Sequence, residues 1–237
     1  MSSSRLPGDV SGEDDAPSSS ERHFPKDRLS ALHWLGLVLA AVMLALMILP
    51  VVLRKRVDEQ VPPGFYQLRQ IHLALHEFAE DYGRFPDAAT IPAVQKNTGT
   101  TLLLGDQSSN ELFRQLFAVG HTSEKIFWVD TSITPRKPDD ILGEKTLLPG
   151  ECSITYVAGL SPTDSDDTPL AMAGLIPGTW KFDPKANKKR GTVLFIDGSV
   201  KSYALDEGGH IMLNGMNFFD PRQPHWHGKQ PNLKWPE

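Results

Sequence analysis

The sequence predicts an α+β head carried behind one membrane-spanning helix. Three observations predict it. An uncharged apolar run covers residues 31–53, a helical apolar stripe follows at 65–82, and from residue 125 short apolar runs alternate with Pro, Gly and Asp. A helix first and antiparallel strands afterwards is the order of an α+β domain.

The chain has 237 residues, a length that suits one domain behind a tail and a span. Roughly 180 of them are left for a soluble part, enough for one hydrophobic core. A net charge of −5, from 24 basic and 29 acidic residues, argues against a nucleic-acid partner, which selects basic surfaces. Cys152 is the only cysteine, so neither an intrachain disulfide nor a Cys-based zinc site can form. Within ECSITYV it reads as a small buried hydrophobe.

Residues 1–30 are rich in Ser, Pro, Gly and acid and hold few large apolar groups. Such a segment cannot bury enough surface to offset its ordering and reads as a disordered tail. From Ala31 to Leu53 the chain runs 23 residues without a carboxylate, Lys or Arg. As a helix that length crosses the roughly 30 Å hydrocarbon layer. His33 sits within a turn of the start, Trp34 suits the interfacial belt, and Arg54, Lys55 and Arg56 stop the span. A buried core helix would show a polar stripe, and a cleavable signal peptide has a shorter apolar run. Arg22, Lys26 and Arg28 on one side balance Arg54–Arg56 on the other, so charge does not orient the span. Residues 54–64 form a linker, in which Pro62-Pro63-Gly64 breaks any helix leaving the membrane.

The head is predicted over 65–215. Phe65, Leu68, Ile71, Leu75, Phe78 and Tyr82 recur at steps of three and four, which makes Phe65–Tyr82 an amphipathic helix ended by Gly83. A second helix is predicted over Ser109–Val119, with Leu112, Phe113, Leu116 and Phe117 inward and a serine-rich cap in GDQSS before it. Strands are predicted at Lys125–Val129, Ser153–Val157, Leu170–Leu175, Thr192–Ile196 and Val200–Leu205. Asp197-Gly198 joins the last two as a hairpin turn. Residues 216–237, rich in proline, read as a loosely ordered tail.

Three stretches carry a resemblance: LPVVLRKRVDEQ at 49–60, QLRQIHLALHEFAEDYGRFPD at 67–87, and YVAGLSPTDSDDTPL at 156–170 with GTVLFIDGSVKSY at 191–203. Together they resemble the pilin-like pseudopilins of bacterial type II secretion, in particular general-secretion-protein-G-like members with a C-terminal Asp-Gly hairpin. The resemblance implies a pilin-like fold in which one long helix sits in the bilayer by its first half and packs on an antiparallel sheet by its second. It also implies a single pass of the inner (cytoplasmic) membrane, the tail cytoplasmic and the head periplasmic or extracellular. The partners implied are the lipid bilayer and pilin-like or secretion-system proteins.

Two departures bear on function. Prepilins carry Gly-Phe-Thr-Leu-x-Glu where a membrane peptidase cuts; the matching region here is DRLSALH at 27–33, with neither Gly-Phe nor Glu. That Glu pairs with a neighbour's new amino terminus, a pairing favoured where unpaired charge is costly. The chain is therefore expected to escape processing and not to polymerise readily. Related proteins also often place a His ten positions before the Asp-Gly, where this chain has Asn187.

Candidate chemistry is sparse. Asp164, Asp166 and Asp167 form a compact acidic loop whose oxygens suit calcium, though without the Gly and distal Glu of an EF-hand. Some G-type pseudopilins resemble this in having a calcium loop late in the head. His72 and His76 stand one turn apart but lack the His-Glu-x-x-His arrangement. His225 and His227 flank Trp226 in the ending, and Lys185, Lys188, Lys189 and Arg190 form a basic cluster. No Gly-x-Ser-x-Gly elbow, phosphate loop or Cys–His pair is present. The expected function is non-catalytic: a membrane-anchored pilin-like accessory or structural protein. The alternative is a tethered periplasmic binding module for a protein or polysaccharide, and a hydrolase ranks behind both.

Overall fold

The computed structural model describes residues 33–49, 61–132, 134–184 and 187–237. It divides into two units, Met1–Arg56 and Val57–Glu237. In the first, residues 33–49 form a helix, α1, whose side chains are all exposed. Among the described residues no helix is long and apolar enough to cross a membrane. The ends of the predicted span, 31–32 and 50–53, lie outside the described residues, as do the tail 1–30 and the linker up to residue 60.

The second unit is α+β, with an antiparallel sheet as its centre. It opens with α2, Phe65–Tyr82, flanked by Gly64 and Gly83, both left-handed. The Gly83 amide closes the helix on the Ala79 carbonyl at 2.8 Å. The predicted stripe is the buried one: Leu68, Ile71, Leu75 and Phe78 are essentially without solvent contact, while Phe65 and Tyr82 sit at its half-buried ends. Burying each such side chain contributes about 1.5–3 kcal/mol. A short helix, α3 (Ile91–Thr98), has only Val94 buried, too little to leave a periodic trace in the sequence. Then α4, Ser109–Ala118, is capped as its serines predict, Ser108 Oγ accepting from the Glu111 amide at 3.1 Å.

The strands are β1 (Ile154–Val157), β2 (Pro169–Ala173), β3 (Arg190–Phe195), β4 (Val200–Ala204), β5 (Met212–Leu213), β6 (Met216–Asn217) and β7 (Leu233–Lys234). Five of them form one sheet in the order β4-β3-β2-β1-β7, antiparallel throughout, and β5 pairs with β6. The β3–β4 turn is the predicted hairpin, with Gly198 at φ 79°. Alternation along β3 splits the core: Leu194 joins the cluster under α2 and α4, and Val193 and Phe195 join a second cluster on the opposite face.

Two expectations are corrected. Residues 125–129 are not a strand; Glu124–Phe127 forms a 3-10 turn. Ile126, Phe127 and Val129 are all buried, so the run has no alternation, and its backbone reaches only one residue of the sheet region, through Ser153. Nor is 216–237 a loose tail. Phe218, Phe219 and Trp226 fill the second cluster, and β7 completes the sheet beside β1. Pro224 opens the 3-10 turn that carries Trp226, and hydrogen bonds from Gln223 Nε2 to the carbonyls of Leu213, Met216 and Asn217 pin the turns of this segment.

Candidate functional site

The acidic loop and the His-Trp-His sequence, 58 or more positions apart in the chain, come together in the fold. β1 ends at Val157, the chain turns at Gly159, and the loop 161–168 returns it to β2. The 3-10 turn Pro224–Trp226 lays the closing segment alongside. Between them lies a cleft of about 380 Å³, floored by Val157, Leu160 and Trp226 and rimmed by Thr163, Asp164, His227, Lys229, Gln230 and Asn232. Across one edge His227 Nε2 meets Asp167 Oδ1 at 3.0 Å.

The three predicted calcium ligands are not gathered into one ligand set. Asp164 Oδ2 accepts from the amide and hydroxyl of Ser161, at 2.8 and 2.9 Å. Asp167 Oδ1 accepts from Ser165 Oγ at 2.7 Å as well as facing His227. Ser165 foremost, then His227, holds the Asp167 carboxyl below the usual carboxylate range. Asp166 is exposed and enters by its backbone, accepting from the Asp197 amide. Among the described residues no group of three or more His, Cys, Asp or Glu is placed to hold a metal ion. The Ser165–Asp167–His227 chain has its carboxylate in the middle. A nucleophilic triad needs the imidazole there, next to the hydroxyl it deprotonates.

His225 turns the other way. Its ring stacks on Phe218, centroids 4.3 Å apart, and Nε2 lies 3.0 Å from the Phe218 carbonyl, which also accepts the Trp226 indole N–H. Burial lowers its pKa.

On the opposite face His72 and His76 both direct Nε2 at the Ile196 carbonyl, at 3.1 and 3.3 Å, beside the Asp-Gly turn. Those nitrogens are thereby taken by a backbone acceptor. A Cβ on Gly198 would lie 2.7 Å from His72 Cε1, so the hairpin docks on α2 because glycine stands there. Of the basic cluster, Lys185 lies outside the described residues. Lys188 and Lys189 are exposed at positive φ, and Arg190 reaches across β4 to the Ser202 hydroxyl and carbonyl. Asn187 is buried, its amide donating to the Gly174 carbonyl at 3.1 Å. Cys152 is buried as expected, its thiol pushed up to about 12 by burial and thus held neutral.

Two buried carboxylates were missed in the sequence. Glu124 accepts from the amides of Leu147 and Asp140 at 2.6 and 2.9 Å, and Glu151 accepts from Leu148 and pairs with Arg136 at 2.8 Å. They strap the long irregular loop 128–153 to the body. Burial raises the pKa of both. Gln230 and Asn232 of the cleft were also missed, since no local pattern sets them apart from other loop residues.

These elements define an α+β unit with a polar-rimmed cleft. No protein-family model, curated protein or solved structure matches the chain.

Proposed function

We propose that the chain is a membrane-anchored, pilin-like accessory or structural protein of secretion or cell-envelope assembly, and that it works by binding rather than catalysis. The observation that carries this reading is α2: an 18-residue helix laid by its apolar stripe on an antiparallel sheet. It follows shortly after a 23-residue run without a carboxylate, Lys or Arg. That is the arrangement the pseudopilin resemblance implies, and the resemblance orients the tail to the cytoplasm and the head to the periplasm or exterior. The absence of Gly-Phe and Glu from 27–33 makes the span a fixed anchor rather than a filament subunit.

The test is a full-length protein with a C-terminal tag, expressed in bacteria. Its mass is measured, and intact cells and spheroplasts are treated with protease. An uncut chain with a protease-accessible head is the expected result. Loss of about thirty N-terminal residues, the length that precedes the span, would overturn the fixed-anchor reading. A head protected in spheroplasts would overturn the orientation.

The second reading, a tethered binding module for a protein or polysaccharide, is favoured by the cleft between the acidic loop and the closing segment. It is compatible with the first, since an anchored head acts through what it grips.

A further inference from the structure

We infer that the cleft between the loop 159–168 and the segment 226–232 is a binding site for an uncharged oligosaccharide, an inference that rests on the binding role proposed for the head.

Size is the first argument. About 380 Å³ lies at the lower end of the roughly 300–1,000 Å³ typical of small-ligand sites, suiting a few atoms-thick rings rather than a folded partner. Gly159 widens the mouth: it stands at φ 88° with open space where a side chain would be. The second argument is the chemistry of the walls. The floor is apolar: Leu160 and Pro231 stand half-buried over the buried Val157 and Trp226, and offer a small surface for the C–H face of a pyranose. Above it stand Gln230 and Asn232, exposed and with no hydrogen bond from either side chain to the described residues. A carboxamide both donates and accepts, as does each sugar hydroxyl, so two unpaired amides over an apolar floor match a polyol's alternating needs.

Charge narrows the class. Asp164 offsets Lys229 in the lining, and Asp166 and Asp167 of the same loop stand exposed beside it, which disfavours a polyanion such as a uronate. A cation gains little either, because Asp164 is engaged by Ser161, and Asp167 by Ser165 and His227. Gln230 and Asn232 add neutral hydrogen-bonding capacity that no described residue takes up.

The experiment uses the full-length protein in a detergent without a sugar headgroup. Cellotetraose and tetra-N-acetylchitotetraose are titrated by calorimetry, beside a uronate tetramer, tetra-alanine and tetra-lysine. Saturable binding of at least one neutral tetrasaccharide is expected. The Gln230→Ala/Asn232→Ala double variant should weaken it roughly tenfold or more, with an unchanged melting curve because neither side chain has an intrachain partner. Absence of saturation by about 10 mM for both neutral sugars overturns the inference. So does binding that ignores the double variant, or preference for the uronate or a peptide. The anchor reading stands or falls separately, on mass and protease access.

Discussion

The two faces of the central sheet are covered in different ways. On one, α2 and α4 present periodic apolar stripes to β1–β4, and Leu68, Leu75, Phe78, Leu112 and Phe113 close the cluster. On the other, no helix longer than a 3-10 turn is present among the described residues. Phe182, Phe218 and Phe219 come from irregular segments and Trp226 from a 3-10 turn, and carbonyls of this cover are met by side chains: those of Leu213, Met216 and Asn217 by Gln223, and that of Phe218 by His225 and Trp226. A helix brings its hydrogen bonds with it and needs only a stripe. An irregular cover must find a partner for each carbonyl it buries, so its stability depends on particular side chains.

The largest expected effect tests whether the irregular face is as integral as the helical one. Phe78→Ala and Phe218→Ala each remove a fully buried ring, and each should cost about 3–5 kcal/mol in denaturant unfolding. Alkylation of Cys152, which sits in the helix-side cluster, provides the second readout. If the sheet couples both faces, Phe218→Ala speeds labelling of Cys152 as much as Phe78→Ala does. Labelling unchanged by Phe218→Ala would make the aromatic cover an independently opening appendage.

Glycine substitutions sharpen the contrast at smaller scale. Gly64, at φ 79°, sits where the chain enters α2, and a Cβ there would lie 2.4 Å from the Ala173 Cβ. Gly64→Ala therefore adds a clash to conformational strain and should cost about 2–4 kcal/mol. Gly215, between β5 and β6, is at φ 77° with nothing within 4 Å. Gly215→Ala should cost only about 1–2 kcal/mol of strain. Equal melting shifts for the two would mean that the close approach at Gly64 has no energetic weight.

Each face also carries a half-buried imidazole, His72 on the helix side and His225 on the aromatic side, and burial lowers the pKa of both. Above the unfolded value near 6.5 neither state is charged. Below it the unfolded chain takes up protons first, so stability is lost as pH falls through the lowered folded values. Denaturation midpoints should therefore drop from pH 7 to pH 5, and His72→Gln and His225→Gln should each flatten that slope. A slope unaltered by His225→Gln would assign the dependence to the helix side alone. The smallest effect belongs to the rim. Asp167→Asn removes an exposed pairing with His227, which should change stability by less than about 1 kcal/mol.

What was legible follows the same division. The α2 stripe, the serine cap of α4, and the β3–β4 hairpin are local patterns, readable because neighbours in sequence are neighbours on the element. At 125–129 the local pattern misled: consecutive apolar residues were buried by a 3-10 turn in a pocket of the core. Asp164, Asp166 and Asp167 were recognisable as a cluster, and His225 to His227 as another, but their meeting across the cleft was not. Glu124 and Glu151 gave no sign at all, since their role is set by distant backbone amides that only the folded loop presents.

The sequence by itself determined the uncharged run at 31–53, the order helix-then-strands, and the face α2 buries, because each depends on hydrophobicity and spacing along a few turns of chain. Only the tertiary structure decided that the ending 216–237 is part of the fold, that β7 lies beside β1, and that a cleft opens between two segments read as unrelated loops. Pairing between strands some 75 residues apart depends on which surfaces meet once the core has collapsed, and no local period encodes that.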